Sequence, residues 1–191
     1  MKRFLLITLT ALLSTIISVT LCFVSFAEED CLTATNESDI VNNIKEGAYI
    51  RLGADITVDS EITVSVSDVT VDLNGHTLTA NKYSQDGSQI TTLFALSGSD
   101  LNFTICGSGA LNVGRTIVDT SAANNSAVYL SASGEGISVT TPDAEYTSFL
   151  FKIGKSNGSV VSSLNINGKV SVLTKCGITP FVIYGKCKFN I

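Results

Sequence analysis

The chain has 191 residues, of which 45% are hydrophobic, 15% charged and 7% aromatic, and its formal net charge is −5. So apolar and weakly charged a composition excludes intrinsic disorder, and the acidic balance excludes a binder of the nucleic-acid backbone, which needs Lys and Arg to displace counterions. A single His excludes a multi-His metal site.

Residues 1–27 read as a secretory signal peptide. Lys2 and Arg3 form a positive start, an apolar run follows from Phe4 to about Val24, and Ser25-Phe26-Ala27 offers small residues for cleavage before Glu28. The competing reading is an uncleaved anchor, because the run approaches the ~20 residues of a membrane span. Lipidation at Cys22 is disfavoured by the bulky Leu21 before it. Removing residues 1–27 leaves 164 residues with 10 basic and 17 acidic side chains, net −7. That length suits one domain burying roughly 70% of its unfolded surface. The expected location is secreted, extracellular or at the cell surface, with no membrane contact after cleavage.

Four cysteines remain: Cys31, Cys106, Cys176 and Cys187. Export permits disulfides, in any of three full pairings, and buried free thiols fit equally well. With no Cys-x-x-Cys, neither a zinc knuckle nor a thioredoxin-like site is expected.

In chain order, the first element is a helix over Ser38–Gly47. Ser38 is placed to cap it, Ile40, Val41 and Ile44 share one face, and Gly47 supplies a left-handed residue beyond its end. From Tyr49 the period becomes two. Ile50 and Leu52, Ile56 and Val58, then Ile62, Val64 and Val66 alternate with polar residues. After Ser67-Asp68 the parity slips to Val69, Val71 and Leu73, so a bend belongs there. Asn74-Gly75 is a turn signal, and His76 to Thr79 resume the alternation.

Two readings of these strands compete: a β-sandwich adhesin domain with Asn74-Gly75 as a true antiparallel hairpin, and a solenoid whose chain turns its corners at Gly, Asn or Ser. Internal repetition favours the solenoid. One class of segment reads LFALSG, AVYLSA, FLFKIG and PFVIYG, ending at Gly98, Ala132, Gly154 and Gly185. A second reads VDLNGHTL, FTICGSGAL and LNINGKVSV, with corners at Gly75, Gly107 and Gly168. The two classes interleave, as stacked coils require.

Gly47–Ala80 resembles the opening of the right-handed parallel β-helix proteins of the pectate-lyase-like group. Asp72-Leu73-Asn74-Gly75-His76 matches a phrase of their first coils, and Ile105-Cys106-Gly107-Ser108-Gly109 a corner that follows. The resemblance implies an all-β right-handed parallel β-helix of about four to five coils with a short N-terminal capping helix. The cap is expected over residues 28–47 and the β-helix domain over 48–191, incomplete at its C-terminal end. There Cys187 to Ile191 still alternate, which suggests a truncated product or a partner over the last coil.

No catalytic constellation emerges. Asp72 and His76 lie four apart, but Asp72 and Asn74 are expected to bond local backbone donors. The acidic pairs, Gly-His-Gly and Arg-x-Lys of polygalacturonase-like relatives are missing, and the only arginines after residue 27 are Arg51 and Arg115. A calcium cluster from stacked acids, such as Asp72 with Asp100, is a remote option. The only His lacks a Gly-x-Ser-x-Gly partner, and Gly107-Ser108-Gly109 lacks the Gly-Lys of a phosphate loop. No catalytic, cofactor or metal residue is therefore assigned.

Glycan contact suits the fold. With no Trp, the stacking candidates are Tyr83, Tyr129, Tyr146 and Tyr184, and Asn36, Asn102, Asn124 and Asn157 begin glycosylation sequons. The expected function is a non-enzymatic module whose partner is an extracellular polysaccharide or a surface protein. The alternative is a truncated or divergent polysaccharide lyase or glycoside hydrolase of the same group.

Overall fold

The computed structural model describes residues 31–80, 92–114, 116–141, 149–155, 161–174, 179–184 and 186–191. The apolar run expected as a signal peptide lies outside them, and no helix among the described residues is long and apolar enough to cross a membrane. The described strands are β1 (Cys31–Ala34), β2 (Tyr49–Leu52), β3 (Ile56–Val58), β4 (Ile62–Val64) and β5 (Val69–Asp72). They continue as β6 (Thr77–Ala80), β7 (Thr92–Ser99), β8 (Asn102–Val113), β9 (Thr116–Asn124) and β10 (Ala127–Thr141). The last are β11 (Phe149–Ile153), β12 (Val161–Asn167), β13 (Val170–Thr174), β14 (Thr179–Ile183) and β15 (Lys186–Asn190). One helix, α1 (Glu37–Asn43), interrupts them.

Every pairing between these strands is parallel. A first ladder runs β1-β2-β5-β8-β10-β12-β15. A second joins β3 and β6 to the far halves of β8 and β10, and then β13. A third forms a separate five-stranded sheet, β4-β7-β9-β11-β14. The chain therefore visits the three ladders in turn and returns to the first again and again. This all-β arrangement of long parallel sheets is compatible with a solenoid.

The parallel register removes the hairpin at Asn74-Gly75. Asn74 (φ 48°) and Gly75 (φ 85°) instead turn the chain from the first ladder to the second, a left-handed pair that Asn and Gly tolerate. The bend expected at Ser67-Asp68 is present, with Asp68 at φ 60°.

The repeats need one correction. LFALSG, FLFKIG and PFVIYG do lie together on the third ladder, where Phe94, Val118, Phe151 and Phe181 share a register column. AVYLSA does not. Its Leu130 stacks on Ile105 and Ile166 in the first ladder. It is the missing member of the other class, between FTICGSGAL and LNINGKVSV. The third-ladder strand that stands between LFALSG and FLFKIG is β9.

Alternation explains the core. Ile50, Val71, Ile105 and Leu130 are all essentially inaccessible to solvent and stack in one column of the first ladder. Leu78, Leu111 and Val139 do the same in the second. Phe94 packs against Phe103 across the interior, with ring centroids 4.8 Å apart. Each strand buries its inward face only together with its ladder neighbours, so the paired ladders are the unit of stability.

Helix α1 starts one residue earlier than expected and is shorter. Asn36, not Ser38, caps it, accepting from the Asp39 amide at 3.0 Å. The reciprocal partner is Asp39, whose carboxylate accepts from the Thr35 amide at 2.8 Å and from the Thr35 hydroxyl. Ile40 is fully buried beneath the helix. The Glu37 carboxylate accepts from the Asp59 amide at 3.0 Å and from the Ser60 hydroxyl, tying α1 to the corner between β3 and β4. Within the segment expected as the N-terminal cap, β1 pairs in parallel with β2 as the first strand of the ladder.

Cys31, Cys106 and Cys187 are free thiols, so no full disulfide set forms from them; Cys176 lies outside the described residues. The Cys187 thiol donates to the Tyr184 carbonyl at 2.9 Å.

Candidate functional site

The first ladder carries a polar cleft of about 470 Å³ on its outer surface, at the corner leading to the second ladder. Parallel register builds it. Arg51, Asp72, Cys106, Ser131 and Asn167 form one column across β2, β5, β8, β10 and β12. A neighbouring column carries Cys31, Tyr49, Thr70, Thr104, Tyr129, Asn165 and Asn190. Neighbours in each column, distant in sequence, are thereby brought to one strand spacing, about 4.8 Å.

Asp72 organises the cleft. Its residue is only 7% exposed, yet its carboxylate has three donors. Oδ1 accepts from the Asn74 amide at 2.9 Å. Oδ2 accepts from the Tyr49 hydroxyl at 2.8 Å and from Arg51 Nε at 3.1 Å. A nearly buried carboxylate needs such partners, and a charged one most of all. The Arg51 guanidinium also lies over the Tyr49 ring, 5.6 Å from its centroid. Asn74 in turn donates to the Leu52 carbonyl of the preceding strand at 3.0 Å. β2 and the corner after β5 are thus clamped together.

The floor is Gly107, at φ 87°. A β-carbon there would collide with Asp72 Oδ1. Ser108, Ser131 and Ser133 line the opposite side.

Titration behaviour follows from the packing. Burial, reinforced by the hydrogen bond to Asp72, pushes the Tyr49 phenol well above its ordinary value. Burial, with the Asp72 charge nearby, raises the Cys106 thiol as well. At neutral pH both therefore keep their protons. The cleft offers neutral hydroxyls, one aromatic ring and a carboxylate whose acceptors are already engaged.

Other sequence candidates are separated. Asp72 bonds the local backbone, as expected. His76 instead faces Asp55, with Nδ1 3.5 Å from Oδ1. Asp100 is not in register with Asp72, which pairs with Cys106; it sits at a different corner, accepting from Asn125 Nδ2 at 3.2 Å. The stacked calcium pair is therefore not formed, and no cluster of three or more His, Cys, Asp or Glu fit for a metal exists among the described residues. Tyr129 is 38% exposed, in the same column as Tyr49. Tyr184 is half-buried. Tyr83, Tyr146, Arg115 and Asn157 lie outside the described residues. Asn36 is engaged as the helix cap.

Tyr49 was not among the sequence candidates, although it is the aromatic wall of the cleft. Its only sequence signal is the outward parity set by Ile50. A second polar group lies on the third ladder, where Lys152 Nζ pairs with Asp119 Oδ2 at 2.8 Å. There, burial and the Asp119 charge raise the Glu61 carboxyl.

No known protein family, curated protein or solved structure matches this chain.

Proposed function

We propose that the chain is a right-handed parallel β-helix module of the pectate-lyase-like kind, exported to the cell surface or beyond, that binds glycan without cleaving it. The coil reading rests on three parallel ladders visited in rotation, with the third ladder's five strands marking five complete coils. The observation that carries the function is the cleft around Tyr49, Asp72, Asn74, Ser108 and Ser131. It combines one aromatic face with several neutral hydroxyls, a set suited to a hydroxyl-rich ligand. Tyr49 and Cys106 hold their protons, and Asp72 is engaged by Arg51 and Tyr49. Those features favour binding over proton abstraction, which needs a free base near neutral pH.

A polysaccharide array and a reducing-sugar assay on one sample test this. Binding to a neutral or weakly acidic polysaccharide, weakened about tenfold in Tyr49→Ala through loss of the ring face, is the expected result. No binding across the array overturns the glycan reading. Release of reducing ends from a polyuronide overturns the non-enzymatic one and points to a lyase or hydrolase.

A further inference from the structure

The cleft continues along the first ladder. Tyr49 and Tyr129 belong to one outward column, with Thr70 and Thr104 between them on β5 and β8. Three strand spacings separate the two tyrosines, about 14 Å in all, which is longer than a disaccharide. Both threonines are half-buried and Tyr129 is exposed. Two residues further along the same strands, Asp72, Cys106 and Ser131 form the column of the cleft itself. The strand rise sets that column about 7 Å to the side. The two columns therefore make one band across β5, β8 and β10, with a tyrosine at either end.

The charge of this band is one-sided. Among the described residues, the cleft is lined by one carboxylate, Asp72, and by no lysine or arginine. Arg51 is committed to Asp72 and lies over the Tyr49 ring. The surrounding chain, residues 31–148, holds 14 acidic side chains against four Lys or Arg. A ligand with a carboxylate on every sugar would meet that field with no lining cation to receive it.

We infer that the ligand is a neutral linear polysaccharide, laid across the strands from Tyr49 to Tyr129, an inference that rests on the glycan reading of the cleft. A disaccharide reaches one ring, whereas a tetrasaccharide reaches both and gains a second stacking contact. Because both contacts fall on one chain, the second adds affinity without a second loss of translational freedom. Between the rings, the hydroxyls of Thr70, Thr104, Ser108 and Ser131 can each donate and accept, as sugar hydroxyls require.

Calorimetric titration of the purified chain decides it. The probes are linear gluco-, manno- and xylo-oligosaccharides and oligogalacturonates, each from the monosaccharide to the hexasaccharide. A neutral series should bind about tenfold more tightly at the tetrasaccharide than at the disaccharide. Tyr129→Ala, with an unchanged circular dichroism spectrum, should bind the tetrasaccharide no more tightly than the wild type binds the disaccharide, and Tyr129→Phe should restore the gain. Oligogalacturonates should bind at least about tenfold more weakly than neutral chains of equal length. Affinity that does not rise with length, or a rise that survives in Tyr129→Ala, overturns the inference and leaves the glycan reading standing. Oligogalacturonates that bind as tightly as the neutral chains also overturn it. Binding to none of the probes overturns it too, and an empty polysaccharide array would then remove the glycan reading as well. If Tyr129→Ala loses its β spectrum, the length and charge series on the wild type decide alone.

Discussion

Arg51 Nε lies 3.1 Å from Asp72 Oδ2, joining residues 21 apart in sequence that are register partners on adjacent parallel strands. The two partners contribute unequally. The Arg51 side chain is 45% exposed and that of Asp72 only 11%. Solvent screens the arginine's share, so Arg51→Ala should cost under about 1 kcal/mol. Asp72→Ala removes the acceptor of Tyr49, Arg51 and the Asn74 amide together and leaves them in a half-buried corner. It should cost about 2–4 kcal/mol in urea denaturation. Equal losses in the two variants would refute Asp72 as the organising group.

Gly107 tests the same corner from the backbone side. At φ 87° an L-residue is strained, and its β-carbon would meet Asp72 Oδ1 and approach the Asn74 amide at 3.2 Å. Gly107→Ala should therefore destabilise by more than the ~1–2 kcal/mol of left-handed strain alone. Placed in the Asp72→Ala background, it should lose part of that cost, since the colliding oxygen is gone. A strictly additive double mutant would show that the collision is relieved elsewhere.

Much of this corner could be read from residue order, and the reason is local. The parity slip at Ser67-Asp68 and the Asn74-Gly75 pair report backbone conformation within a few residues, so bend and corner were legible. Register between the strands of a ladder was not. Contacts between successive strands of the first ladder, or the corners before them, span 21 residues at Arg51–Asp72, 34 at Asn102–Asp68, 25 at Asn125–Asp100 and 36 at Ser126–Ser162. With spacing so uneven, a segment's ladder cannot be inferred from periodicity. AVYLSA was misplaced because its corner, Ser131 to Gly136, lacks the Asn-Gly or Cys-Gly-Ser-Gly of its equivalents. The cleft was missed for the same reason: Tyr49, Asp72, Cys106 and Ser131 meet only once the register is known.

The protonated pair in the cleft sets an alkaline limit. Tyr49 and Cys106 hold their protons more tightly folded than unfolded, where the ordinary values are 10.0 and 9.0. Their contribution is complete below those values and is lost as pH rises past them, because the unfolded chain then releases protons the folded one retains. Tm should fall from about pH 9 upward. Cys106→Ser should flatten the first part of that fall and Tyr49→Phe the part above about pH 10. Identical alkaline slopes in wild type and both variants would contradict the buried, hydrogen-bonded placement. Alkylation gives an independent reading: Cys106 should react more slowly than the exposed Cys31 at pH 8, and the gap should narrow as pH rises.

The corner that returns the chain to the first ladder makes a last prediction. Asp68, Asp100 and Asn125 immediately precede or approach β5, β8 and β10, with φ of 60°, 59° and 51°. Each is Asp or Asn, the L-residues that best tolerate this conformation. They also bond between neighbouring positions of the first ladder, Asn102 to Asp68 at 2.9 Å and Asn125 to Asp100 at 3.2 Å. Conformation and hydrogen bond separate by substitution. Asn125→Gly keeps the conformation and loses an exposed bond, so it should change stability by less than about 0.5 kcal/mol. Asn125→Ala loses both and should cost about 1–2 kcal/mol. Asn125→Val, β-branched, should cost more again, since its branching clashes hardest in the left-handed region. If glycine and alanine proved equally costly, the hydrogen bond rather than the backbone would govern this corner. The shared Asp/Asn choice at three corners would then reflect side-chain stacking along the axis.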